Sequence, residues 1–467
     1  MTSVSPEAIF THQLAARWRV AATSHDQRKA KLRALLEALM AHRMEAHAAL
    51  AADFGKSPEE VDLTELYPVI SELKDALRHL SRWMKPRKVP TPIGLLGSVG
   101  TIVHEPRGVV LIIAPWNYPI YLTLGPLVSA IAAGNCAVIK PSEFTPHTNA
   151  FLRKLLLGLF PQDEVALVEG EAETAQALLV LPFDHIFFTG SPAVGKVVMK
   201  AAAEYLTSVT LELGGKSPVL VDADADLANA ARKIAWGKCV NAGQTCVAPD
   251  YVLVHERVHD ALVEQLKAAF ASFYGADSQA RKASPDLARI INDRHHARLL
   301  GLLQDSLGVV VFGGENDPAT RYFGPTLLTE VDPASPIMQE EIFGPLLPIL
   351  KVADMDAAVA FVNGRPKPLA LYVFTGNQDG AKRLIARTTA GGGCINDTLL
   401  HFAHTGLPTG GVNTSGFGKA HGRHGFETFS NARGILRQRT RWSAIQLMYP
   451  PYTTFVRRMI DLTLKHF

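Results

Sequence analysis

Residues 185–200 read HIFFTGSPAVGKVVMK: an apolar aromatic run, a glycine turn, then an Ala/Val/Met stretch of helical character. A strand that ends in such a turn and feeds a helix N-terminus makes a phosphate site, because the first backbone N–H groups of the helix have no partner inside it. Gly190, four residues, Gly195 and Lys196 spell all but the last letter of an ATP-binding loop. That motif continues with Ser or Thr, whose hydroxyl holds magnesium, and here the residue is Val197. The stretch therefore points to a phosphate compound that needs no metal at this position.

The same alternation extends outward in both directions. GVVLIIAPWN (108–117), GNCAVIKPSE (134–143) and EVALVEG (164–170) are short apolar runs, the first two separated by the helical TLGPLVSAIAA (123–133). A second round begins at SVTLELGGKSPVLV (208–221) and continues through YVLVHE, VVVFGG, LPILKV and LALYVFTG. Strands alternating with helices predict α/β architecture with two doubly wound parallel sheets. Leu32, Leu35, Leu36, Leu39, Met40 and Met44 recur at three and four residues, which predicts one long amphipathic helix from Arg28 to Leu50. Ser57 is placed to cap a further helix running to Trp83. Residues 84–108, with prolines and then alternating strand-like residues, predict a hairpin that leaves the main body.

The 467 residues suffice for two or three domains, and 47% hydrophobic with 19% charged residues excludes a disordered or coiled-coil chain. The 47 basic and 44 acidic residues are evenly spread, so no nucleic-acid groove is expected and a small-molecule partner fits better. The N-terminus lacks a cationic stretch followed by an apolar run, and no run of 18 apolar residues occurs, which predicts a cytoplasmic protein. Cys136, Cys239, Cys246 and Cys394 are too sparse for a disulfide framework and form no CxxC pair, so no metal site is expected.

Cys246 lies in NAGQTCVAPDY among small and polar residues, unlike Cys136 in its apolar run, and so is the candidate nucleophile. Glu212, between Leu211 and Leu213 at a Gly-Gly turn, reads equally as a desolvated general base or as a carboxylate facing outward from an edge strand. Asn117 follows a buried strand, where its amide could serve as an oxyanion donor or simply cap a turn. Glu340 and Glu341, in QEEIFGP, also read as a solvated acidic turn that ends on Gly-Pro.

LELGGKSP, whose Glu212 is followed 34 positions later by the cysteine of NAGQTC, resembles a signature of the aldehyde dehydrogenase superfamily. PWNYP, GNCAVIKPSE, FFTGSPAVGK, QEEIFGP and GGVNTSGFG occur in that family's order, and GQTCVAPDYVL, HGRHGFETFS and YPPY resemble its class 3 branch. The resemblance implies NAD, with NADP as the alternative, and oxidation of a medium-chain aliphatic or aromatic aldehyde to the acid. It casts Cys246 as nucleophile, Asn117 with the Cys246 amide as oxyanion hole, and Glu212 as the base that activates the hydrolytic water. Cofactor contacts would come from Trp116, Lys140, Ser142, Glu143, Thr189, Gly190, Ser191, Gly195, Leu213, Gly214, Glu341 and Phe343.

The implied division is 1–85 and 108–212 for the dinucleotide, 213–423 for catalysis, and 86–107 with 424–440 as a bridging element that joins a homodimer. The tail, 441–467, would be a helix packed on its own subunit or its dimer mate, with peripheral membrane contact the less favoured reading. Thr409 stands where class 3 relatives usually carry an aromatic residue near the substrate passage, which predicts a wider or more polar pocket. Three rivals remain: transfer of the thioester to coenzyme A, against which Glu212 argues, a non-catalytic relative, and a cofactor-free cysteine hydrolase.

Overall fold

A computed structural model describes residues 5–92, 95–438 and 443–466. Two α/β layers carry the body. The first is a six-stranded sheet in the order 416–417, 208–213, 185–190, 109–113, 136–140, 165–167. The second has seven strands in the order 309–312, 326–329, 346–352, 251–255, 218–221, 370–374, 392–395. Neighbouring strands are parallel except at one edge of each sheet, where 416–417 and 309–312 run antiparallel. Both sheets are thus mixed at an edge rather than purely parallel. Their central strands, such as Val109–Ile113 and Tyr251–His255, are buried along their whole length, which is why they read as continuous apolar runs rather than alternating ones.

The stretch 208–221 is divided between the two sheets: Ser208–Leu213 ends the first and Pro218–Val221 begins the second. Glu212 and Gly214 therefore lie where the chain crosses from one layer to the other. Strand 416–417 returns to the first sheet, pairing Gly416 with Glu212, from within the span that the sequence reading assigned to catalysis.

The N-terminal helices begin at serine caps. Ser24 and Gln27 form a reciprocal capping box at the start of His25–Ala41, and Ser57 accepts a bond from the Glu60 N–H. The single helix expected over Arg28–Leu50 is in fact two, His25–Ala41 and Arg43–Phe54, with His42 out of helical geometry between them. Met40 and Met44 are exposed, while Leu32, Leu35 and Leu39 form the buried stripe. The helix after Ser57 reaches Trp83 as expected, but through a π turn at Asp62–Leu66.

Residues 87–89 and 99–106 form an antiparallel hairpin extended by Ser430–Arg437. A short helix, Gly422–Thr428, spans residue 424 and leads into Ser430–Arg437. Residues 439 and 440 lie outside the described residues. In the tail, a 3₁₀ turn at Ala444–Met448 precedes the helix Thr454–His466, so helix occupies only its last part; Phe455, Leu462 and Leu464 are exposed. No helix among the described residues is long and apolar enough to cross a membrane.

Candidate active site

Cys246 follows a turn that the backbone alone would not favour. Asn241, Ala242 and Gly243 are all left-handed, at φ 54°, 51° and 76°, and each non-glycine residue there costs roughly 1–2 kcal/mol. A dense set of bonds holds the turn. The Asn241 N–H donates to Glu60 Oε1 at 2.6 Å, and Asn241 Nδ2 donates to the carbonyl oxygens of Asn117 and Gln244 at 2.8 and 3.1 Å. Gln244 donates to the Asn241 and Arg289 carbonyls at 3.0 Å and accepts from the Ile291 N–H at 2.9 Å. Thr245 Oγ1 lies 2.6 Å from the Tyr118 hydroxyl. Downstream, Asp250 pairs with Lys216 and accepts the Ile342 N–H at 2.9 Å, joining this loop to the segment carrying Glu341.

Asn117 is buried. It donates from Nδ2 to the Gln244 carbonyl at 3.0 Å, and its own backbone carbonyl accepts from Lys56 Nζ at 3.1 Å. A primary amide has two N–H groups, so one remains for a ligand. Burial, and then the nearby Glu341 and Glu212 carboxylates, push the Cys246 thiol up from its ordinary value. The backbone N–H groups of Cys246 and Val247 work the other way, favouring the thiolate.

Glu212 faces inward. Neither of its carboxylate oxygens has a hydrogen-bond partner among the described residues, and burial raises its pKa to about 8, with Lys419 pulling weakly the other way. Glu341 is similar: its Oε1 is shut away without a partner and burial raises it to about 8. Of the two adjacent acids in QEEIFGP, Glu340 is solvated, with half its side chain exposed, and Glu341 turns in.

One cleft of about 330 Å³ brings most of the sequence-selected residues together. Trp116, Asn117, Thr189, Gly190, Ser191, Glu212, Leu213, Gly214, Cys246, Glu341 and Phe343 all line it. Trp116 meets Phe343 edge-on at 5.3 Å and tilts against His295 at 4.9 Å, giving the cleft an aromatic wall. Gly214 has no room for a side chain, since a Cβ there would overlap the Glu341 carboxylate. Ser191 caps the helix Pro192–Ala203, whose N-terminus opens beside the cleft. Gly195 does not line it; its place is inside that helix, where a Cβ would come within 2.8 Å of Leu213.

Lys140, Ser142 and Glu143 also stand apart from the cleft, at and just beyond the end of strand 136–140, two strands along from 185–190. That is about 10 Å across the sheet, within the span of a dinucleotide. Lys140 Nζ and Glu143 Oε2 are 3.1 Å apart, and Ser142 is buried with its hydroxyl accepting the Phe144 N–H at 3.3 Å. The unpartnered Glu341 oxygen suits a ribose hydroxyl, the helix N-terminus suits phosphate, and the aromatic wall suits a flat ring. A nicotinamide dinucleotide fits this donor set. No group of three or more metal-ligating side chains occurs among the described residues.

On the other side of Cys246 lies a pocket of about 270 Å³ lined almost wholly by apolar groups, including Leu63, Tyr67, Trp236, Leu400 and Phe402. Thr409 does not line it. That residue is buried, with Oγ1 3.2 Å from His421 Nδ1.

Several supporting groups escaped the sequence reading. Glu60 holds the nucleophile turn, and burial raises its pKa to about 7. Glu65, in the π turn, accepts Lys56 Nζ at 3.0 Å and the N–H groups of Ile120 and Tyr121 at 3.1 and 3.0 Å, beneath the Asn117 segment. Glu72 and His421 lie behind Glu212. The available signal was polarity inside an apolar stripe, since Glu65 and Glu72 alternate with the buried Leu66, Val69 and Leu73.

Residues 6–435 match the model of the aldehyde dehydrogenase family. The aldehyde dehydrogenase family 3 member A2 of Pongo abelii is 46% identical over 422 residues, 90% of this chain and 86% of that protein. A substrate-bound Staphylococcus aureus AldH structure superposes with a TM-score of 0.94 at 42% identity, covering 99% of this chain and all of that one. A Mycobacterium tuberculosis aldehyde dehydrogenase complexed with NAD+ superposes with a TM-score of 0.85 at 26% identity, over 95% and 92% of the two chains.

Proposed function

The chain belongs to the aldehyde dehydrogenase family, resembles its class 3 members and carries out NAD(P)-dependent aldehyde oxidation; on that premise we propose the residue roles, the aldehyde class and the assembly. Cys246 adds as thiolate to the aldehyde carbon. Asn117 and the Cys246 backbone N–H hold the oxyanion that forms, an interaction that contributes roughly 2.7–4 kcal/mol to a transition state. When bound, the nicotinamide ring supplies the hydride acceptor. Oxidation leaves a thioester on Cys246, and Glu212 takes a proton from the water that cleaves it, which is worth roughly 10² to 10⁴ in rate.

Glu341, with Gly214 leaving room for its carboxylate, holds the nicotinamide ribose. Trp116, Thr189, Leu213 and Phe343 would border the ring, Gly190 and Ser191 shape the phosphate turn, and Gly195 lets the helix behind that turn pack closely on Leu213. Lys140, Ser142 and Glu143 receive the adenosine end, with the Glu143 carboxylate favouring the ribose 2′-hydroxyl of NAD over a 2′-phosphate. The observation that carries the reading is the convergence of Cys246, Asn117 and the unpartnered Glu212 on one cleft.

The apolar pocket supports medium-chain aliphatic or aromatic aldehydes as substrates. We assign 1–85 and 108–212 to dinucleotide binding, 213–423 to catalysis except for the returning strand 416–417, and 86–107 with 424–440 to a dimer bridge. The free edge of Ser430–Arg437, with Ile435 and Leu436 exposed, supports pairing with a second copy. Free cysteines accord with a cytoplasmic setting.

The test is reduced-nicotinamide formation from NAD or NADP with hexanal, benzaldehyde or cinnamaldehyde, without and then with coenzyme A. Turnover without coenzyme A that disappears in Cys246→Ala is expected. Turnover only with coenzyme A refutes the hydrolytic assignment.

A further inference from the structure

Oxidising an aldehyde with water and NAD yields a carboxylate, the reduced cofactor and two protons. Those protons originate in a buried place. With cofactor in the cleft and an acyl chain in the apolar pocket, both openings beside Cys246 are filled. A third space, a chamber of about 40 Å³, adjoins Glu212 and Cys246 on the remaining side, which is room for one to a few waters. It is also lined by Tyr121, His421 and Glu72, none of which the chemistry above uses.

These three groups lie next to one another, with a hydrogen bond between the first two. The Tyr121 hydroxyl lies 2.9 Å from His421 Nε2, and His421 Nδ1 lies 3.2 Å from the Thr409 hydroxyl and 3.6 Å from Glu72 Oε1. Glu72 Oε2 accepts the Gly422 N–H at 2.8 Å, fixing the carboxylate beside the ring. One turn along the helix Tyr67–Trp83, Asp75 Oδ1 meets His79 Nδ1 at 2.9 Å, and His79 is 37% exposed. His421 is also held at φ 73°, a left-handed conformation that a non-glycine residue adopts at a cost and that concentrates at functional sites.

We propose that Tyr121, His421 and Glu72 form a proton outlet that carries the proton taken by Glu212 from the hydrolytic water toward Asp75, His79 and solvent. This rests on the reading of Glu212 as the base. The Glu212 O–H breaks as a chamber water accepts its proton and passes one on to the Tyr121 oxygen. Tyr121 gives its own proton to His421 Nε2, and the His421 Nδ1–H passes to Glu72 as rotation closes the remaining gap. Glu72 then releases one proton toward the Asp75–His79 rim. One proton enters, one leaves, and no group changes oxidation state.

The ionisation of the chain suits transport. Burial raises Glu72 to about 7, with Asp75 adding to the shift and the Gly422 N–H opposing it, so near neutral pH it both accepts and releases a proton. Burial lowers His421 to about 4, with His401 adding to the shift, so the ring passes a proton without retaining it. Lys419, whose charge favours ionised Glu212, donates to the Gly410 carbonyl and is not part of the route.

The experiment follows hydrolysis of the acyl-enzyme by rapid quench and mass spectrometry in Glu72→Gln and Tyr121→Phe, in H₂O and D₂O, with graded imidazole or formate. Glutamine keeps the acceptor for the Gly422 N–H. We expect the first-turnover burst of reduced cofactor to persist while acyl-enzyme decay slows by about tenfold or more. The solvent isotope effect should rise, small buffers should restore the rate, and the double variant should be no slower than the worse single one. Decay and isotope effect at parental values overturn the proposal. A burst lost together with decay, without buffer rescue, also overturns it and assigns Glu72 a structural role. Failure of Glu212→Gln to accumulate acyl-enzyme refutes the base assignment instead, so the two failures are distinguishable.

Discussion

Two buried glutamates, Glu65 and Glu212, have opposite surroundings. Glu65, beneath the Asn117 segment, is matched by Lys56 and two backbone N–H groups. Glu212, beside Cys246, has no partner for either oxygen among the described residues. Burial raises both; at Glu65 the Lys56 charge and the N–H groups offset part of that rise, whereas Glu212 has only the charge of Lys419 to oppose it. A satisfied carboxylate in a dry interior acts as a strut that fixes neighbouring backbone. An unsatisfied one is free to exchange a proton with whatever enters the site, so the same residue type serves structure in one place and chemistry in the other.

The largest expected effect separates the two on activity. Glu212→Gln should lower the hydrolytic step by roughly 10² to 10⁴ while leaving thermal stability unchanged or higher, because a lone buried carboxyl is replaced by a neutral amide. Stopped-flow kinetics together with a melting curve check both halves. A large loss of stability in this variant would merge the two glutamates into one class.

Next comes the converse change. Lys56→Met should destabilise the fold by about 3–5 kcal/mol, since it strands Glu65 without its buried counter-charge. Denaturant unfolding measures this, and Glu65→Gln in the same background should recover part of it. If Lys56→Met unfolds at the parental midpoint, the strut reading of Glu65 fails.

A smaller effect is expected on the cofactor side. Gly214→Ala pushes a methyl into the Glu341 carboxylate, so KM for NAD should rise by about tenfold, or about 1.4 kcal/mol, with the aldehyde pocket unaffected. The smallest is at the phosphate turn: Ser191→Ala removes the cap on the Val194 N–H and should cost about 1 kcal/mol of local stability.

The pH dependence sharpens the comparison further. Glu212 is protonated below its raised value and serves as base only when ionised, so the hydrolytic rate should climb as pH rises through about 8. Lys419→Met, which removes the charge that favours the ionised form, should move that rise to higher pH.

The strands and the nucleophile were legible because their signals are local. Val109–Ile113, Cys136–Lys140 and His185–Gly190 each carry their burial in a short run, and Cys246 and Glu212 sit in stretches of distinctive composition. The break at His42 was hidden because the apolar spacing continues through it, although Met40 and Met44 in fact face solvent. Support for the site was hidden for a different reason. Glu60 meets Asn241 across 181 positions and Glu72 meets Gly422 across 350, so no local periodicity records either contact. The contact of Thr409 with His421 depends on the short bridge between residues 409 and 420, which composition does not record.

The most direct test of the account is to expose Glu212→Gln to aldehyde and NAD, quench within the first turnovers, and map the adduct by peptide mass spectrometry. The account predicts an acyl group on Cys246, approaching one per site and absent in Glu212→Gln/Cys246→Ala. An enzyme that forms reduced cofactor with no acyl group on Cys246, or with the group on another residue, contradicts it.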